Sequence, residues 1–172
     1  IARPVITQET TYLGEWQIML HEGRHALDSK KLGAILFGIV YLCPQLLGIL
    51  GVLIIPLVVL GIVSTAWLWG ALLLVCLAPL PAVGRAIIEL RAYKVSLLTA
   101  YWANDLPYPK EYIEAIAETL AGPVYYWMWP FKAVTKEYLS KQLDQAIKGA
   151  ALNDPYLEDC KALSLALKET AP

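Results

Sequence analysis

A mainly α-helical fold is what this sequence predicts, on three observations. Apolar residues recur at helical spacing in several segments, most clearly in PKEYIEAIAETLAG, where positions 113, 116, 117 and 120 are apolar and Glu114 and Glu118 lie opposite. A run of 53 residues, Leu32 to Gly84, carries no charged side chain and reads as membrane-type helix. No segment alternates apolar and polar residues as a half-buried strand does, and no internal repeat is present. Three parts are expected: an N-terminal segment (1–31) with a polar helix, an apolar hairpin (32–84), and a helical region (85–172) of ordinary charge density.

Ile1 to Glu9 contains Pro4 and no periodicity, so an extended or loop segment is expected there. A helix follows from Thr10 or Thr11, either of which can cap it; Trp16, Met19, Leu20 and Leu27 mark its apolar positions and Glu15 its early turns. The uncharged run is too long for one crossing: as continuous helix it would reach about 80 Å, against a hydrocarbon core of about 30 Å. Pro44, Pro56, Pro79 and Pro81 punctuate it, and Gly61, Ser64 and Thr65 form its least apolar centre. The chain should therefore reverse there, with arms over Gln45 to Leu60 and Ala66 to Leu80. Both arms are short, which leaves a thin bilayer or a re-entrant hairpin open. A helix over Ala82 to Trp102 should end at NDLPYP, and the amphipathic helix after it should close at Gly122. The aromatic stretch PVYYWMWPF suits an interfacial belt or a packing plug. KAVTKEYLSKQLDQAIKGAAL and DPYLEDCKALSLALKE complete the chain as two amphipathic helices.

Composition narrows the function classes. With 58% hydrophobic residues and a mean hydropathy of +0.51, the chain is too apolar for an ordinary soluble domain. Net charge is −1 and the basic residues are interspersed with acidic ones after Tyr108, so no nucleic-acid surface is expected. Cys43, Cys76 and Cys160 form no C-x-x-C pair and indicate neither a disulfide framework nor a thiolate metal site. The uncharged hairpin argues against a channel or transporter, which places ionisable groups along its path. No cationic stretch leading into a short apolar core precedes residue 15, so no signal peptide is expected, and the start at Ile1 fits a processed product or a portion of a longer chain. Two crossings return the chain to its starting side. Lys30, Lys31, Arg85, Arg91 and Lys94 flank the hairpin there, so in a cell that side is expected to be cytoplasmic.

Both histidines lie four residues apart in EWQIMLHEGRHALDSKKLG, where His21, Glu22 and His25 form H-E-x-x-H. Random placement would produce that joint pattern roughly once in a thousand. On a helix, residues 21 and 25 share one face, with Asp28 further along it and Glu22 beside them. Two neutral imidazoles so placed can each offer a nitrogen to one zinc ion, and Glu22 can act as general base on a water whose pKa the metal lowers toward about 7. A catalytic site needs a third protein ligand, and with no third histidine it must be a carboxylate. Asp28, on the same helix, would line up along the axis and better suits a partner that orients an imidazole. Lys31, six residues after His25, cannot serve. Glu89, on the helix after the hairpin and on the same side of it, is the favoured third ligand.

The competing reading of these residues is a polar helix face, with Glu22, Arg24 and Asp28 solvated or ion-paired and Glu89 in a surface pair with Arg85. Tyr93, one turn after Glu89, reads as a packing residue or as a hydrogen-bond donor to an oxyanion.

At ELRAY, Glu89 to Tyr93, the chain resembles a known family. H-E-x-x-H with a later E-x-x-A is similar to the gluzincin metallopeptidases, and the interposed apolar hairpin resembles their membrane-embedded members, which process prenylated proteins or clear damaged membrane proteins. In those the alanine is usually followed by Asp; here Tyr93 follows Ala92. HEGRHALDSKKLG through FGIVY, with ELRAY, also looks like small metallopeptidase-like proteins of bacteria and phages that pair H-E-x-x-H with E-x-x-A-Y. The resemblance covers about Trp16 to Tyr41 and Glu89 to Tyr93. It implies a zincin-like arrangement in which His21, His25 and Glu89 hold Zn2+ and Glu22 is the base.

Two functions are expected from these features. One is an integral membrane zinc metallopeptidase that hydrolyses peptide bonds near the membrane surface, with a peptide or protein substrate and the lipid bilayer as partners. The other is a structural or membrane-interacting protein, for example of a virus particle, with a vestigial or structural metal site. A homo-oligomer or larger assembly that covers the hairpin is compatible with either.

Overall fold

The computed structural model describes residues 8–104, 109–151 and 153–170. The expected mainly helical class holds, and no strand occurs among the described residues. Seven α-helices are described: α1 (Gln8–Leu32), α2 (Ala34–Leu42), α3 (Gln45–Val59), α4 (Val83–Asn104), α5 (Pro109–Ala121), α6 (Lys132–Ile147) and α7 (Pro155–Thr170). A 3-10 helix (Thr65–Leu77) follows α3, and a 3-10 turn (Pro123–Tyr125) follows α5. Gln8 and Glu9, expected to be extended, are already helical, as two good helix formers ahead of an amphipathic segment can be. The rest of that segment, the side chains of Thr10 and Thr11, and residues 105–108 of the NDLPYP loop lie outside the described residues.

Helix α4 is the axis of the fold. Its Ala86, Ile88, Ala92, Val95, Leu97, Leu98 and Thr99 are all buried, because α1, α5, α6 and α7 pack around it. Leu120, Leu139, Leu157 and Met128 reach the same core from α5, α6, α7 and the aromatic turn. Each such buried side chain contributes about 1.5–3 kcal/mol. On α5 the buried set is Ile113, Ile116, Ala117 and Leu120, the positions its spacing marks out.

Two glycines set how closely the helices approach. A Cβ on Gly84, at the start of α4, would stand 2.6 Å from the Val40 carbonyl, so α2 can lie directly on α4 only because this residue is glycine. A Cβ on Gly23 would collide with the Tyr156 hydroxyl, which donates to the Leu20 carbonyl at 2.7 Å and joins α7 to α1. Gly122, which ends α5, has φ −97° and so is not a left-handed cap; a Cβ there would meet the Glu118 carbonyl at 2.9 Å. The left-handed residues come later, at Tyr126 (φ 56°) and Trp127 (φ 51°). Bonds from Trp127 N to the Gly122 carbonyl (2.9 Å) and from Ala82 N to the Met128 carbonyl (2.8 Å) hold this strained turn against the start of α4.

The apolar run folds into α2 and a hairpin of α3 with the 3-10 helix, and the chain reverses over Leu60–Ser64. The arms approach closely at glycines: a Cβ on Gly51 would lie 3.0 Å from Leu74 N, and one on Gly48 3.0 Å from Leu77 N. The second arm is a 3-10 helix where an α-helix was expected. Its positions are almost uniformly apolar, and a uniform pattern carries no period to separate 3.0 from 3.6 residues per turn. No single described helix is long and apolar enough to cross a membrane; α2 and α3 together are, but they bend by 86° at their junction.

A buried charge cluster locks α1 in register. Asp28 lies 3.3 Å from Arg24 Nε and 3.1 Å from Arg91 Nη2 on α4, and Arg24 Nη1 donates to Asp154, just before α7, at 2.6 Å. Arg24 and Asp28 are both buried, so of the solvated and ion-paired readings of Arg24 it is the ion-paired one that the structure shows. Asp28→Ala, which removes the partner of Arg24 Nε but leaves the Asp154 pair, is expected to cost about 1–3 kcal/mol in urea unfolding. Arg91→Ala, at an end of the cluster that is 40% exposed, should cost under about 1 kcal/mol.

Candidate metal centre

Helices α1 and α4 bring together the residues singled out by motif. His21 and His25 stand one turn apart on α1 and face Glu89 on α4. The two Nε2 atoms are 3.2 Å apart, and each is 3.6 Å from the same Glu89 oxygen, Oε2. A point equidistant from three atoms so spaced lies about 2.0 Å from each, which is the length of a zinc–nitrogen or zinc–carboxylate bond. Glu22 is exposed on the flank of the pair; one of its oxygens and one nitrogen from each imidazole lie within 4.8 Å of one another. Two carboxylates therefore reach the imidazoles, and they differ in kind. Glu89 is buried and equidistant from both nitrogens, whereas Glu22 faces solvent.

The chemistry of this donor set calls for a cation. Glu89 is 1% exposed, and a buried carboxylate is costly unless it is paired and hydrogen-bonded. Two imidazole nitrogens 3.2 Å apart cannot both present lone pairs to each other, so a proton or a metal ion must lie among them. In the metal-free protein a proton takes that part: the Glu89 hydrogen bond holds the His25 pKa above its ordinary 6.5, against the opposing effect of burial. For Glu89 burial pushes upward, but the two imidazoles beside it and the hydrogen bond from Tyr41 outweigh it and hold the carboxyl well below the usual range.

Residues that no motif marked complete the site. Tyr41, near the end of α2, donates a short hydrogen bond to Glu89 Oε1, and Tyr125 donates to Oε2 at 3.2 Å. The aromatic stretch read as a belt or plug thus also supplies a partner of Glu89. Ser96 Oγ lies 3.1 Å from His21 Nδ1 and also bonds the Ala92 carbonyl. The serine can donate to that carbonyl while accepting from Nδ1–H, which leaves Nε2 as the lone-pair nitrogen that a metal requires. Arg85, which the competing reading pairs with Glu89, lies instead over the rings of Tyr41 and Tyr125, at 4.8 and 5.2 Å from their centroids. The spacing 89, 93, 96 puts Glu89, Tyr93 and Ser96 on one helical face, and that pattern could have marked Ser96. Nothing local in the sequence links Tyr41 or Tyr125 to position 89.

Asp28 is placed differently from its expected role, and Tyr93 takes the packing one of its two. Asp28, expected to orient an imidazole, is held instead by Arg24 and Arg91, and His25 Nδ1 has no hydrogen-bond partner among the described residues. Tyr93 packs edge-on against His21 with ring centroids 4.9 Å apart, and its hydroxyl lies 3.0 Å from that of Tyr125. Since an ionised carboxylate only accepts, Tyr125 gives its one proton to Glu89 and must accept from Tyr93. The Tyr93 proton is therefore committed, and the residue positions Tyr125. Burial pushes the pKa of both phenols upward, so they stay protonated donors at neutral pH. A cleft bounded by His21, Glu22, Tyr93, Ser96 and Tyr112 opens beside the donors.

The metal-free protein should show two pH limbs. Glu89, with a pKa below its ordinary 4.5, contributes stability that is whole above that value and is lost as pH falls below it. His25, raised above 6.5, contributes stability that is whole below 6.5 and is lost as pH rises through its folded value. The cluster then stabilises most between pH 4.5 and 6.5. Thermal unfolding of metal-free protein across pH 4 to 9 checks this, and Glu89→Gln should flatten both limbs.

Comparison with known proteins finds no matching family model, no similar curated protein and no similar solved structure.

Proposed function

We propose that the chain is a zinc-dependent metallopeptidase that works at a membrane surface, with His21, His25 and Glu89 as the metal-holding residues. The observation that carries this reading is the convergence of two imidazole nitrogens and one buried carboxylate oxygen, 3.2–3.6 Å apart, beside an exposed glutamate and an open cleft. Three protein donors and an open side suit a catalytic zinc site better than a structural one, which is closed by four. When bound, zinc would supply Lewis-acid polarisation of a carbonyl and a lowered pKa for water.

The chain's own groups divide the remaining work. Glu22 stands on the cleft wall, where it can take a proton from the attacking water and return it to the leaving amine. Ser96 holds the His21 ring so that Nε2 faces Glu89. Tyr41 and Tyr125 keep the Glu89 carboxylate charged and fix its two oxygens. The exposed apolar hairpin supports action near lipid.

Elemental analysis and a peptide-cleavage assay test the reading together. About one zinc per chain is expected, lost in His25→Ala and Glu89→Ala. Glu22→Gln should keep the metal and lose at least about a hundredfold in turnover, the scale of general-base catalysis. Tyr93→Phe should lose less than about tenfold, since removing an oxyanion donor would cost about a hundredfold or more. Zinc bound without cleavage of membrane-proximal peptides would favour the structural alternative.

A further inference from the structure

We infer that the hairpin enters a lipid bilayer from one side and ends inside it, with α2 lying in the plane of the headgroups beneath the His21–His25–Glu89 cluster. This rests on the membrane association proposed above and is independent of the peptidase chemistry.

Length comes first. Helix α3 has 15 residues, about 22 Å of rise, and the 3-10 arm 13, about 26 Å, so both arms of an upright hairpin pass the midplane of a hydrocarbon core of about 30 Å and fall short of the far headgroups. Its outer surface is largely apolar: Leu50, Leu53, Leu57, Trp67, Trp69 and Leu72 are all exposed, no residue of the hairpin is charged, and the exposed polar side chains of Ser64 and Thr65 lie at the reversal.

Most of the tip's backbone donors are met within the chain. At the reversal the N–H groups of Leu60, Gly61, Ile62 and Val63 donate to the carbonyls of Pro56, Val58, Leu57 and Leu57 at 2.9–3.3 Å. Ala66 N is taken up by Ser64 Oγ at 3.3 Å and Trp67 N by the Ser64 carbonyl at 3.0 Å. A turn in water can leave such donors to the solvent; in hydrocarbon each unmet donor is costly.

The 86° bend between α2 and α3 then sets α2 parallel to the membrane. Helix α2 has two faces. Ile35, Leu36, Ile39 and Leu42 are exposed on one side, and an apolar recess bounded by Leu32, Ala34 and Ile35 opens at the α1–α2 corner. On the other side Val40 lies against Gly84 and Tyr41 bonds Glu89. Lys30 and Lys31 are exposed at the end of α1, at this same level, where anionic headgroups would meet them. The face of α2 that meets lipid is thus the back of the face that holds Glu89.

Cysteine labelling in vesicles tests this. Cys43 and Cys76 are replaced by Ala, Val63→Cys is introduced at the tip, and the protein is bound to vesicles of phosphatidylcholine and phosphatidylglycerol. Buried Cys160 serves as the unreactive internal reference. A membrane-impermeant maleimide should label Cys at position 63 less than a tenth as fast as in detergent, whether added outside or enclosed within. Ile39→Asp should lower vesicle binding at least tenfold. Labelling from the enclosed side means a full crossing, and labelling from outside means no insertion; either overturns the inference. Failure to bind vesicles, with a larger species on sizing, overturns it in favour of a second copy covering the hairpin. Should the cysteine variant not fold, quenching of tryptophan emission by lipids brominated deep in the chain is read instead. Loss of that quenching in Trp67→Phe/Trp69→Phe is expected, and equal quenching without these two overturns the inference. None of these readouts involves zinc or cleavage, so their failure is distinct from failure of the peptidase reading.

Discussion

The constraint on which the rest of the site depends is the buried negative charge of Glu89. A carboxylate at 1% exposure in the middle of a helix pack persists only if its surroundings replace water, and four side chains do so: two imidazoles, Tyr41 and Tyr125. Each comes with its own requirement. The imidazoles must share a helical face, Tyr41 needs α2 to lie on α4, and Tyr125 needs the chain after α5 to turn back through two left-handed residues. The residue types that do not pack for their own sake, Gly84 among them, are found where these requirements meet.

Because α4 carries Glu89, Tyr93 and Ser96 on one side and a set of buried aliphatic residues beside them, the same helix is both core and site. Its apolar faces hold α5, α6 and α7, so the carboxylate cannot shift without disturbing the core. On α1 the division is similar: His21 and His25 face α4, while Arg24 and Asp28 form the clamp that sets how far α1 can slide. A slide of one turn would move an imidazole by about 5.4 Å, far more than metal coordination tolerates. The clamp therefore protects the site's geometry without touching it.

The hairpin and the site share α2. This short helix has lipid-compatible residues on one face and contacts to α4 on the other, and the Tyr126 hydroxyl fastens the hairpin's other end at the Leu77 carbonyl. The apolar excursion is thereby anchored at both ends next to residues that bond Glu89.

Periodicity in the sequence determined by itself the helical class, the amphipathic α5 with its buried positions, and the reversal near Gly61. The spacing of His21 and His25 determined that two imidazoles share a face. These are short-range properties, set by 3.6 residues per turn and by the φ/ψ limits of glycine and proline. Only the tertiary structure decided which carboxylate meets the imidazoles at 3.6 Å, that Asp28 serves an arginine clamp, and that Tyr41, Ser96 and Tyr125 are partners of the cluster. Tyr41 and Glu89 are 48 positions apart, and no local pattern encodes a contact across a hairpin. Uniformly apolar segments hid the 3-10 form of the second arm for a related reason. Where every position has the same polarity, hydrophobicity carries no information about period.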